Sequence, residues 1–248
     1  MRIIQAGVEI LTGIDENDIY RRLERIGRVC YKSENAITEE SGEKFIRNLV
    51  KREHEAMLEH AHLSVLFTVD RGISHEIVRH RIASFAQEST RYCNYSQDKF
   101  GNEITVIEPC FFSSIPEEEK RLCRIALDHF EGENYDKVAD FLHSGKITNR
   151  QRAYARWYEA CEYAEHNYFS LLSNGCTPQE ARDVLPTSVK TELVMTANLR
   201  EWRHFLKLRA AGTTGAPHPQ MREVAAPLLK ELQQKLPAVF DDITLTEE

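Results

Sequence analysis

Residues 79–92, RHRIASFAQESTRY, place three arginines and one histidine among several hydroxyl side chains. The surrounding chain of 248 residues is acidic, with 32 Lys and Arg against 39 Asp and Glu and a formal net charge of −7. This balance argues against a protein that binds nucleic acids or anionic membranes over a broad surface. A basic stretch in an acidic chain therefore predicts a local site for an anionic ligand.

The sequence on either side of this stretch mixes helix and strand patterns. Residues 72–81 (GISHEIVRHR) predict a short helix, whose buried face would carry Ile73, Ile77 and Val78. Residues 62–69 (HLSVLFTV) alternate as a strand does. Along the chain these patterns lack the regular β-α-β alternation of a doubly wound sheet. The sequence therefore favours an α+β fold, with helices flanking a central, mostly antiparallel sheet.

The helical repeat and the alternation of strands also predict the other elements of the chain. Strands are predicted at residues 2–11, 62–69, 103–109 and 188–197. Helices are predicted at residues 15–33, 41–54, 72–81, 116–143, 149–173, 177–186, 198–210 and 218–237. Asp15 and Thr177 are the expected N-caps of two helices, and Pro227 is expected to kink the last one. The predicted buried face of the first helix carries Ile19, Leu23, Ile26 and Cys30.

Composition narrows the class of protein. No apolar run is long enough to span a bilayer, and the N-terminal sequence lacks the apolar core and cleavage site of a signal peptide. The six cysteines are scattered without a C-x-x-C pair, which is typical of reduced thiols in the cytoplasm. Because no repeat or Pro/Gly-rich linker interrupts the chain, we expect a single domain over residues 1–248.

Residues 79–91 form the first cluster of side chains that could bind a ligand or take part in a reaction. Arg79–Arg81 are consecutive, so they cannot share one helical face and should point to different parts of a ligand, or to different ligands. Arg91 follows Ser89 and can offer a guanidinium fork beside hydroxyl groups, a combination that suits phosphate. An equally open alternative is a solvated basic face that pairs with Glu76 and Glu88.

The second cluster is residues 54–62, HEAMLEHAH. Histidine and glutamate are good metal ligands, so a metal-dependent phosphohydrolase acting on nucleotides is one alternative, built on His54, Glu55, His60 and His62. The histidines fall at i, i+6 and i+8, however, which is not the metalloprotease spacing of two histidines at i and i+4. A structural role at a helix end explains the cluster at least as well.

The third cluster spans residues 181–212. Arg182 lies just before the helix-ending Pro186, and Arg209 lies near the end of a predicted helix. The residues that should pack this helix are Leu199, Trp202, Phe205, Leu206 and Leu208. Because an arginine near a helix C-terminus commonly just complements the helix dipole, neither arginine is informative alone.

Taken together, the three clusters resemble the flavin-dependent thymidylate synthase family. Residues 79–91 match its signature of Arg-His-Arg, a serine three residues on, and then Ser-x-Arg. Residues 54–60 resemble its His-x-x-x-x-Glu-His segment. The segments ARDVLP, NLREWRHFLKLR and HPQMRE then follow in the family's order. The resemblance covers about residues 2–236.

Four positions depart from the common pattern of the family. Ala86 and His204 stand where asparagine is common, and Glu76 stands where glutamine is common. Ala56 replaces a frequent serine or threonine, so a flavin contact there would use the backbone or van der Waals packing. These departures change individual hydrogen bonds and leave the resemblance intact.

The resemblance implies an enzyme of de novo thymidylate synthesis. It implies reductive methylation of dUMP to dTMP, with methylene-tetrahydrofolate as carbon donor and FAD, reduced by NADPH, as hydride source. It also implies the corresponding fold, a cytoplasmic homotetramer with sites at subunit interfaces, and no metal, nucleic-acid or membrane partner. The sequence leaves three points open: the choice between NADPH and NADH, the form of the folate, and the subunit that supplies each residue.

The resemblance also implies roles for particular residues. The residues expected to bind dUMP are Glu76, Arg79, Gln87, Glu88, Ser89, Arg91, Arg182 and Arg209. The residues expected to bind FAD are His54, Ala56, Arg79, His80, Arg81, Gln87, Asn198, Leu199, Arg200, His204 and His218.

Arg209 is the expected catalytic residue. A cation beside the N3–C4=O edge of uracil would favour loss of the N3 proton and so enrich C5, which is otherwise a poor nucleophile. The family needs no attacking thiol, so Cys93 is not expected to be a nucleophile. A non-catalytic nucleotide-binding protein is a further alternative, because the asparagine and the hydroxyl group noted above are lost.

Overall fold

The computed structural model describes residues 1–128, 140, 144–145 and 147–245. Its strands are β1 (Arg2–Ile4), β2 (Gly7–Ile10), β3 (His62–Asp70), β4 (Ala83–Gln87), β5 (Thr105–Ile107) and β6 (Lys190–Asn198). Its helices are α1 (Glu16–Val29), α2 (Ser41–Lys51), α3 (Arg71–Ile77), α4 (Glu117–Asp128), α5 (Asn149–Ser173), α6 (Pro178–Ala181), α7 (Leu199–Arg209), α8 (Pro219–Lys235) and α9 (Pro237–Phe240). None of these described helices is long and apolar enough to cross a membrane.

The chain forms two compact units. The first unit comprises Met1–Gln5 and Glu88–Lys190, and the second comprises Ala6–Gln87 and Thr191–Glu248. Each unit therefore combines segments that are distant in sequence. The expectation of a single domain over residues 1–248 stays a prediction.

A four-stranded sheet is the centre of the second unit. Its strand order is β2-β3-β6-β4, with β2 antiparallel to β3 and β4 antiparallel to β6. The alternation of β3 places Leu63, Val65 and Phe67 in the core without exposed surface, as a period of two requires. The predicted α+β class with a mostly antiparallel sheet is confirmed for this unit.

Helices cover the buried face of this sheet. Leu23 of α1, Ile46 of α2 and Leu228 of α8 are fully buried in one core cluster with Trp202 of α7. The Trp202 indole Nε1 donates to the Leu63 carbonyl at 3.1 Å, so α7 is fixed to β3 by a buried hydrogen bond as well as by packing. Burying each of these large side chains contributes roughly 1.5–3 kcal/mol, which makes α7 a rigid support for the residues that it carries.

The first unit has a smaller sheet and its own apolar clusters. Strand β1 pairs in parallel with β5, from Arg2 opposite Thr105 to Ile4 opposite Ile107. Helix α5 begins with a capping box formed by Thr148 and Gln151. Its Tyr154 is fully buried and meets the Phe112 ring edge-on at 5.5 Å between centroids. The helix therefore packs through aromatic side chains.

Several predicted boundaries need correction. Residues 2–11 are two strands, β1 and β2, which belong to different sheets, because a β pattern does not specify its partner strand. Helix 177–186 is shorter, since α6 gives way to a 3-10 helix at Arg182–Val184. The predicted helix 116–143 is described only for α4, and the greater part of its C-terminal half lies outside the described residues.

Other local predictions have mixed outcomes. Asp15 caps α1 by accepting from Asp18 N at 3.0 Å, as predicted. Helix α8 continues through Pro227. Cys30 was expected on the buried face of α1, but it is exposed, because the helix ends at Val29 and Cys30 serves as its C-cap. Val78 is only partly buried, because it caps the end of α3.

Candidate active site

The signature segment passes from the end of α3 to strand β4. The side chains of Arg79 and Arg81 are exposed, whereas the intervening His80 is 5% exposed. This divergence confirms that the three consecutive residues point in different directions. Among the described residues of the second unit, the side chains of Arg79 and Arg81 make no hydrogen bond or ion pair. Two uncommitted guanidinium groups are therefore available to an anion.

The predicted acidic partners of a basic face are engaged elsewhere. Glu76 accepts from Arg209 NH1 at 2.9 Å. Glu88, in the first unit, lies 2.9 Å from Lys190 Nζ and accepts from the Tyr95 hydroxyl at 3.2 Å. Within the second unit, the contacts of Glu76 therefore favour the ligand-site interpretation of Arg79 and Arg81 over pairing with Glu76.

The His80 ring lies between the Glu201 carboxylate and the Arg209 guanidinium group. Its Nδ1 lies 3.3 Å from Glu201 Oε1, and its Nε2 accepts from Arg209 Nε at 3.1 Å. Because a guanidinium group can only donate, Nε2 must carry the lone pair and Nδ1 must carry the proton. Burial, with the neighbouring Arg209 and His204, lowers the pKa of His80 to about 4. The imidazole is therefore neutral at ordinary pH, with a fixed tautomer.

Both nitrogens of His80 are thus used within the chain. If His80 contacts flavin, as the resemblance implies, the contact would use a ring edge, a ring face or the backbone. The ring meets Phe205 edge-on at 4.8 Å between centroids and His204 at 5.8 Å. These contacts further restrict how the ring can turn.

Arg209 ends helix α7, and its guanidinium group is fixed from two sides. NH1 donates to Glu76 Oε2 at 2.9 Å and NH2 donates to the Glu76 carbonyl at 3.3 Å, while Nε faces His80. Its side chain is 22% exposed. The arrangement presents a rigid, partly exposed cation, which is what electrostatic stabilisation of a bound anion requires.

Two neighbouring cavities gather predicted flavin residues from separate segments. The first, of about 440 Å³, is lined by Glu55, Glu59, Ile82, Asn198, Arg200, Glu201, His204 and Lys207. The second, of about 500 Å³, is lined by Gly27, Cys30, Tyr31, Phe45, Asn48, Leu49, Arg52, Glu53, His54, Glu55, Ala56, Met57 and Arg200. Because both cavities share Glu55 and Arg200, the segments around residues 54–56, 82 and 198–204 meet at one place in the second unit.

The start of α7 shows how these residues are positioned. Asn198 caps the helix, and its side-chain oxygen accepts from Glu201 N at 2.9 Å. Leu199 is fully buried and packs in the core of the second unit. Arg200 is exposed and donates to Glu59 Oε1 at 2.6 Å. His218 lies at the N-cap of α8 and is also exposed.

Gln87 is oriented by a small polar network. Its Nε2 donates to Ser74 Oγ at 2.9 Å and to Thr191 Oγ1 at 3.2 Å. Ser74 gives its own proton to the Arg71 carbonyl at 2.9 Å, and Thr191 Oγ1 also accepts from Arg71 NH1 at 3.3 Å. The amide nitrogen of Gln87 is therefore held by the protein, which leaves its oxygen as an acceptor for a ligand.

The predicted phosphate-binding residues of the first unit lie in one loop and one neighbouring helix. Arg182 NH1 donates to Thr90 Oγ1 at 3.5 Å, which brings Arg182 to the loop that carries Ser89 and Arg91. Arg91 is exposed, and its guanidinium carbon lies 5.3 Å from the centroid of the Tyr92 ring. Its backbone N–H donates to Ser89 Oγ at 3.3 Å. The two arginines and the serine thus form a local cationic, hydroxyl-bearing surface.

The histidines of the second cluster do not belong to any group of described residues whose ligand atoms lie close enough together to hold a metal ion. His54, His60 and His62 are all exposed. Among the described residues, the three-residue group with ligand atoms within 4.8 Å of one another is His80, Glu201 and His204. A metal ion at His80 Nδ1 would move the proton to Nε2, against the Arg209 Nε–H. The hydrogen bonding therefore opposes metal binding at this group.

The sequence patterns did not indicate two partners of the predicted site residues, one in each unit. Glu201 lies at the first turn of α7, three residues before His204, and this i, i+3 spacing was the available signal. Lys190 pairs with Glu88 across a sequence distance that no local pattern reveals.

Comparison with known proteins places the chain in a family. A protein of Corynebacterium aurimucosum named flavin-dependent thymidylate synthase is 31% identical over 244 residues, which cover 96% of this chain and 84% of that protein. The family model described as thymidylate synthase complementing protein matches residues 14–238. The chain belongs to the flavin-dependent thymidylate synthase family. A family member from Mycobacterium tuberculosis is 28% identical over 227 residues, covering 90% of this chain and 79% of that protein.

Solved structures agree with the family's fold. A UMP/dUMP methylase, PolB, from Streptomyces cacaoi bound with 5-Br UMP superposes with a TM-score of 0.68. The match covers 97% of this chain and 95% of that chain at 21% sequence identity. The same methylase bound with 5-Br dUMP gives a TM-score of 0.65 at 23% identity. The flavin-dependent thymidylate synthase fold predicted from the signature is therefore confirmed.

Proposed function

We propose that the protein catalyses reductive methylation of dUMP to dTMP, with methylene-tetrahydrofolate as carbon donor and FAD reduced by NADPH as hydride source. One observation carries the proposal. The segments that resemble the family's flavin-binding residues at 54–56 and 198–204 line adjoining cavities although they are distant in sequence, and Ile82, next to Arg81, lines one of these cavities. A chance resemblance of short motifs would not be expected to gather them.

Several exposed residues of the second unit suit a flavin dinucleotide. Its pyrophosphate needs cations, and Arg79 and Arg81 are exposed without partners among the described residues of their unit. Its ring system needs an apolar surface, and Ile82, which lines the first cavity, is 69% exposed. Gln87 offers an oxygen acceptor, and Arg200 lies between the two cavities. These residues would hold FAD by charge, packing and hydrogen bonds.

We assign the phosphate of dUMP to the loop of the first unit. Arg91 and Arg182 supply guanidinium groups, and Ser89 supplies a hydroxyl. Charge-assisted hydrogen bonds of this kind are about twice as strong as neutral ones. Glu88, which Lys190 and Tyr95 hold in place, is the proposed acceptor for a hydroxyl or N–H group of the nucleotide. Glu76, Arg79 and Gln87 are the proposed nucleotide contacts from the second unit.

Arg209 is the proposed activator of uracil. Its guanidinium group would stabilise the negative charge that develops on the N3–C4=O edge, and this charge raises the nucleophilicity of C5. Arginine cannot act as a base at ordinary pH, so its part is electrostatic. The rigid placement by Glu76 and His80 means that little reorganisation is needed when the charge appears.

The remaining chemistry needs two electrons. Reduced flavin, when bound, supplies the hydride that converts the transferred methylene group to a methyl group. Because the folate is then not oxidised, it leaves as tetrahydrofolate. The residues of this chain bind and orient the reactants, and no thiol is required. Burial and the nearby Glu88 raise the pKa of the Cys93 thiol, which favours its protonated, unreactive form.

The assembly, the location in the cell and the reductant are proposed from the resemblance to the family. We propose a cytoplasmic homotetramer in which residues from more than one subunit complete each site. His54 and His218 are proposed neighbours of the flavin. NADPH is the proposed reductant.

The first test asks whether the purified protein contains FAD and whether it forms dTMP. The purified protein should be yellow, and denaturation should release FAD. With dUMP, methylene-tetrahydrofolate and NADPH it should form dTMP; UMP is assayed in parallel because the neighbour from S. cacaoi is a UMP/dUMP methylase. A colourless protein that hydrolyses nucleotides only with added divalent metal would support the phosphohydrolase alternative. A colourless protein that binds dUMP without turnover would support a binding protein.

A further inference from the structure

We propose that Glu201 is a positioning residue for Arg209 and that it acts through His80. This inference rests on the proposed function, because it gives Glu201 a part in the activation of uracil. The three residues form a hydrogen-bonded chain within the second unit that continues to Glu76. We call this chain the Glu201 relay, consisting of Glu201, His80, Arg209 and Glu76.

The direction of each hydrogen bond in the relay is fixed by chemistry. Arg209 Nε can only donate, so His80 Nε2 must accept at 3.1 Å. The imidazole proton is then on Nδ1, where Glu201 Oε1 accepts it at 3.3 Å. Glu201 is 7% exposed, so water is largely prevented from replacing it. The carboxylate therefore selects the tautomer that Arg209 needs.

The other tautomer would disrupt the position of Arg209. With the proton on Nε2, two N–H groups would face each other at the short contact between His80 and Arg209. The guanidinium group would have to turn or move away. Phe205 and His204 contact the imidazole ring, so the ring itself has little freedom to rotate and relieve the conflict.

The relay also determines which donors of Arg209 remain for a ligand. Of the five N–H groups in a guanidinium, Nε–H faces His80, while one on NH1 and one on NH2 face Glu76. Two N–H groups remain, one on each terminal nitrogen. A planar pair of donors on a partly exposed, immobilised cation suits a carbonyl oxygen that gains negative charge.

Glu201 is itself well supported. It lies in the first turn of α7, where the Asn198 side chain accepts from its backbone N–H at 2.9 Å. Arg209 lies at the end of the same helix, and Trp202 and Phe205 anchor the helix between them without exposed surface. Glu201 and Arg209 are thus on one rigid element, and His80 connects them from the loop between α3 and β4.

The kinetic test compares Glu201→Leu with Glu201→Gln. Leucine removes the acceptor, whereas the glutamine oxygen can still accept from Nδ1–H. In protein fully loaded with flavin, Glu201→Leu should slow single-turnover oxidation of the reduced holoenzyme by dUMP and methylene-tetrahydrofolate by about tenfold or more, with dUMP affinity nearly unchanged. Glu201→Gln should recover most of the rate. An unchanged rate in Glu201→Leu, or a loss in dUMP affinity alone, would overturn the relay.

A double-mutant cycle separates the relay from a general structural role. Arg209→Lys lacks the Nε–H, so Glu201→Leu should cost far less rate in that background than in the wild-type protein. Glu24→Gln is the matched control, because Glu24 is fully buried and pairs with Arg28 on α1. It should lower stability without any coupling to Arg209. Equal effects of Glu201→Leu in both backgrounds would contradict the proposal.

A third measurement does not depend on activity. Nitrogen-15 NMR of the histidine-labelled holoenzyme, with His80 assigned from the His80→Gln variant, should show protonated Nδ1 and unprotonated Nε2. Protonation at Nε2 would overturn the relay, whatever the protein catalyses. If the wild-type protein fails to methylate dUMP but shows the Nδ1–H tautomer, the proposed function fails while the hydrogen-bonded chain stands.

Discussion

Arg209 combines a fixed guanidinium group with partial exposure. Its proposed task is to stabilise charge that develops after dUMP has bound, so its removal should affect turnover more than affinity. Arg209→Ala should lower the single-turnover rate on the order of a hundredfold to a thousandfold. Arg209→Lys should also be impaired, because it keeps the charge but loses the planar fork. Normal single-turnover rates at saturating dUMP would reduce Arg209 to a binding residue.

Arg91 is the residue to test for phosphate binding. It is exposed, and it lies in the loop that Arg182 approaches through Thr90. Loss of a charge-assisted fork costs roughly 1.5–3 kcal/mol, so Arg91→Ala should weaken dUMP about tenfold to a hundredfold. FAD content should stay nearly unchanged, and the exposed Arg22→Ala on α1 should change neither. Equal losses of FAD and dUMP would contradict the assignment.

Cys93 is the cysteine nearest to the signature segment in sequence. Because burial and Glu88 raise the pKa of its thiol, it is a poor nucleophile at neutral pH. Cys93→Ser should therefore keep most of the NADPH-dependent formation of dTMP. Turnover is measured on protein that is folded and yellow. Complete loss of turnover in such protein would contradict this prediction and indicate a mechanism in which the Cys93 sulfur bonds covalently to the nucleotide.

At the scale of elements, Arg203 ties α7 to the C-terminal segment after α9. The side chain of Arg203 is 1% exposed, pairs with Glu55 at 2.8 Å and with Asp242 at 2.6 Å, and also donates to the Val239 carbonyl. Arg203→Met removes these charge-assisted hydrogen bonds but leaves no unpaired buried charge, because Asp242 is half exposed and Lys207 lies near Glu55. The substitution should lower the free energy of unfolding by roughly 1.5–3 kcal/mol, as measured by denaturant titration. Asp242→Asn should cost about 1 kcal/mol or less, because the Asp242 side chain is 45% exposed.

The same ion pair predicts a pH dependence. Burial alone would raise the pKa of Asp242, but Arg203 outweighs it and lowers that pKa. A lowered pKa stabilises the folded state above the unfolded value of about 3.9, and this contribution is lost as the pH falls through the folded value. Acid unfolding below about pH 4 should therefore be less steep in Asp242→Asn. An identical acid transition in both proteins would contradict this account.

Some elements were predictable from sequence and others were not. Helix α5 was predicted at residues 149–173 and spans those residues, because its aromatic and apolar side chains follow the helical period and Thr148 caps it. Residues 2–11 carry one continuous β pattern, yet they divide into β1 and β2. The choice of partner strand depends on distant residues, so no local pattern could have shown the division.

At the scale of the whole molecule, the signature segment predicted the fold, and its assignment of flavin-binding residues stays a prediction. Its residues have a distinctive order, and Ile82 of that segment lines one of two adjoining cavities, together with residues of the segments around residues 54–56 and 198–204. Two partners could not be predicted, because each pairing depends on tertiary packing: Lys190 pairs with Glu88 in the first unit, and Thr191 accepts from Gln87 in the second. The proposed homotetramer concerns contacts between chains, and light scattering of the holoenzyme tests it.

The fate of the folate tests the central claim most directly. The enzyme is reduced without oxygen, mixed with dUMP and methylene-tetrahydrofolate, and stopped after a single turnover. If flavin supplies the hydride, each oxidised flavin should accompany one dTMP, and the folate product should be tetrahydrofolate. Formation of dTMP with dihydrofolate, or oxidation of flavin without dTMP, would contradict the account.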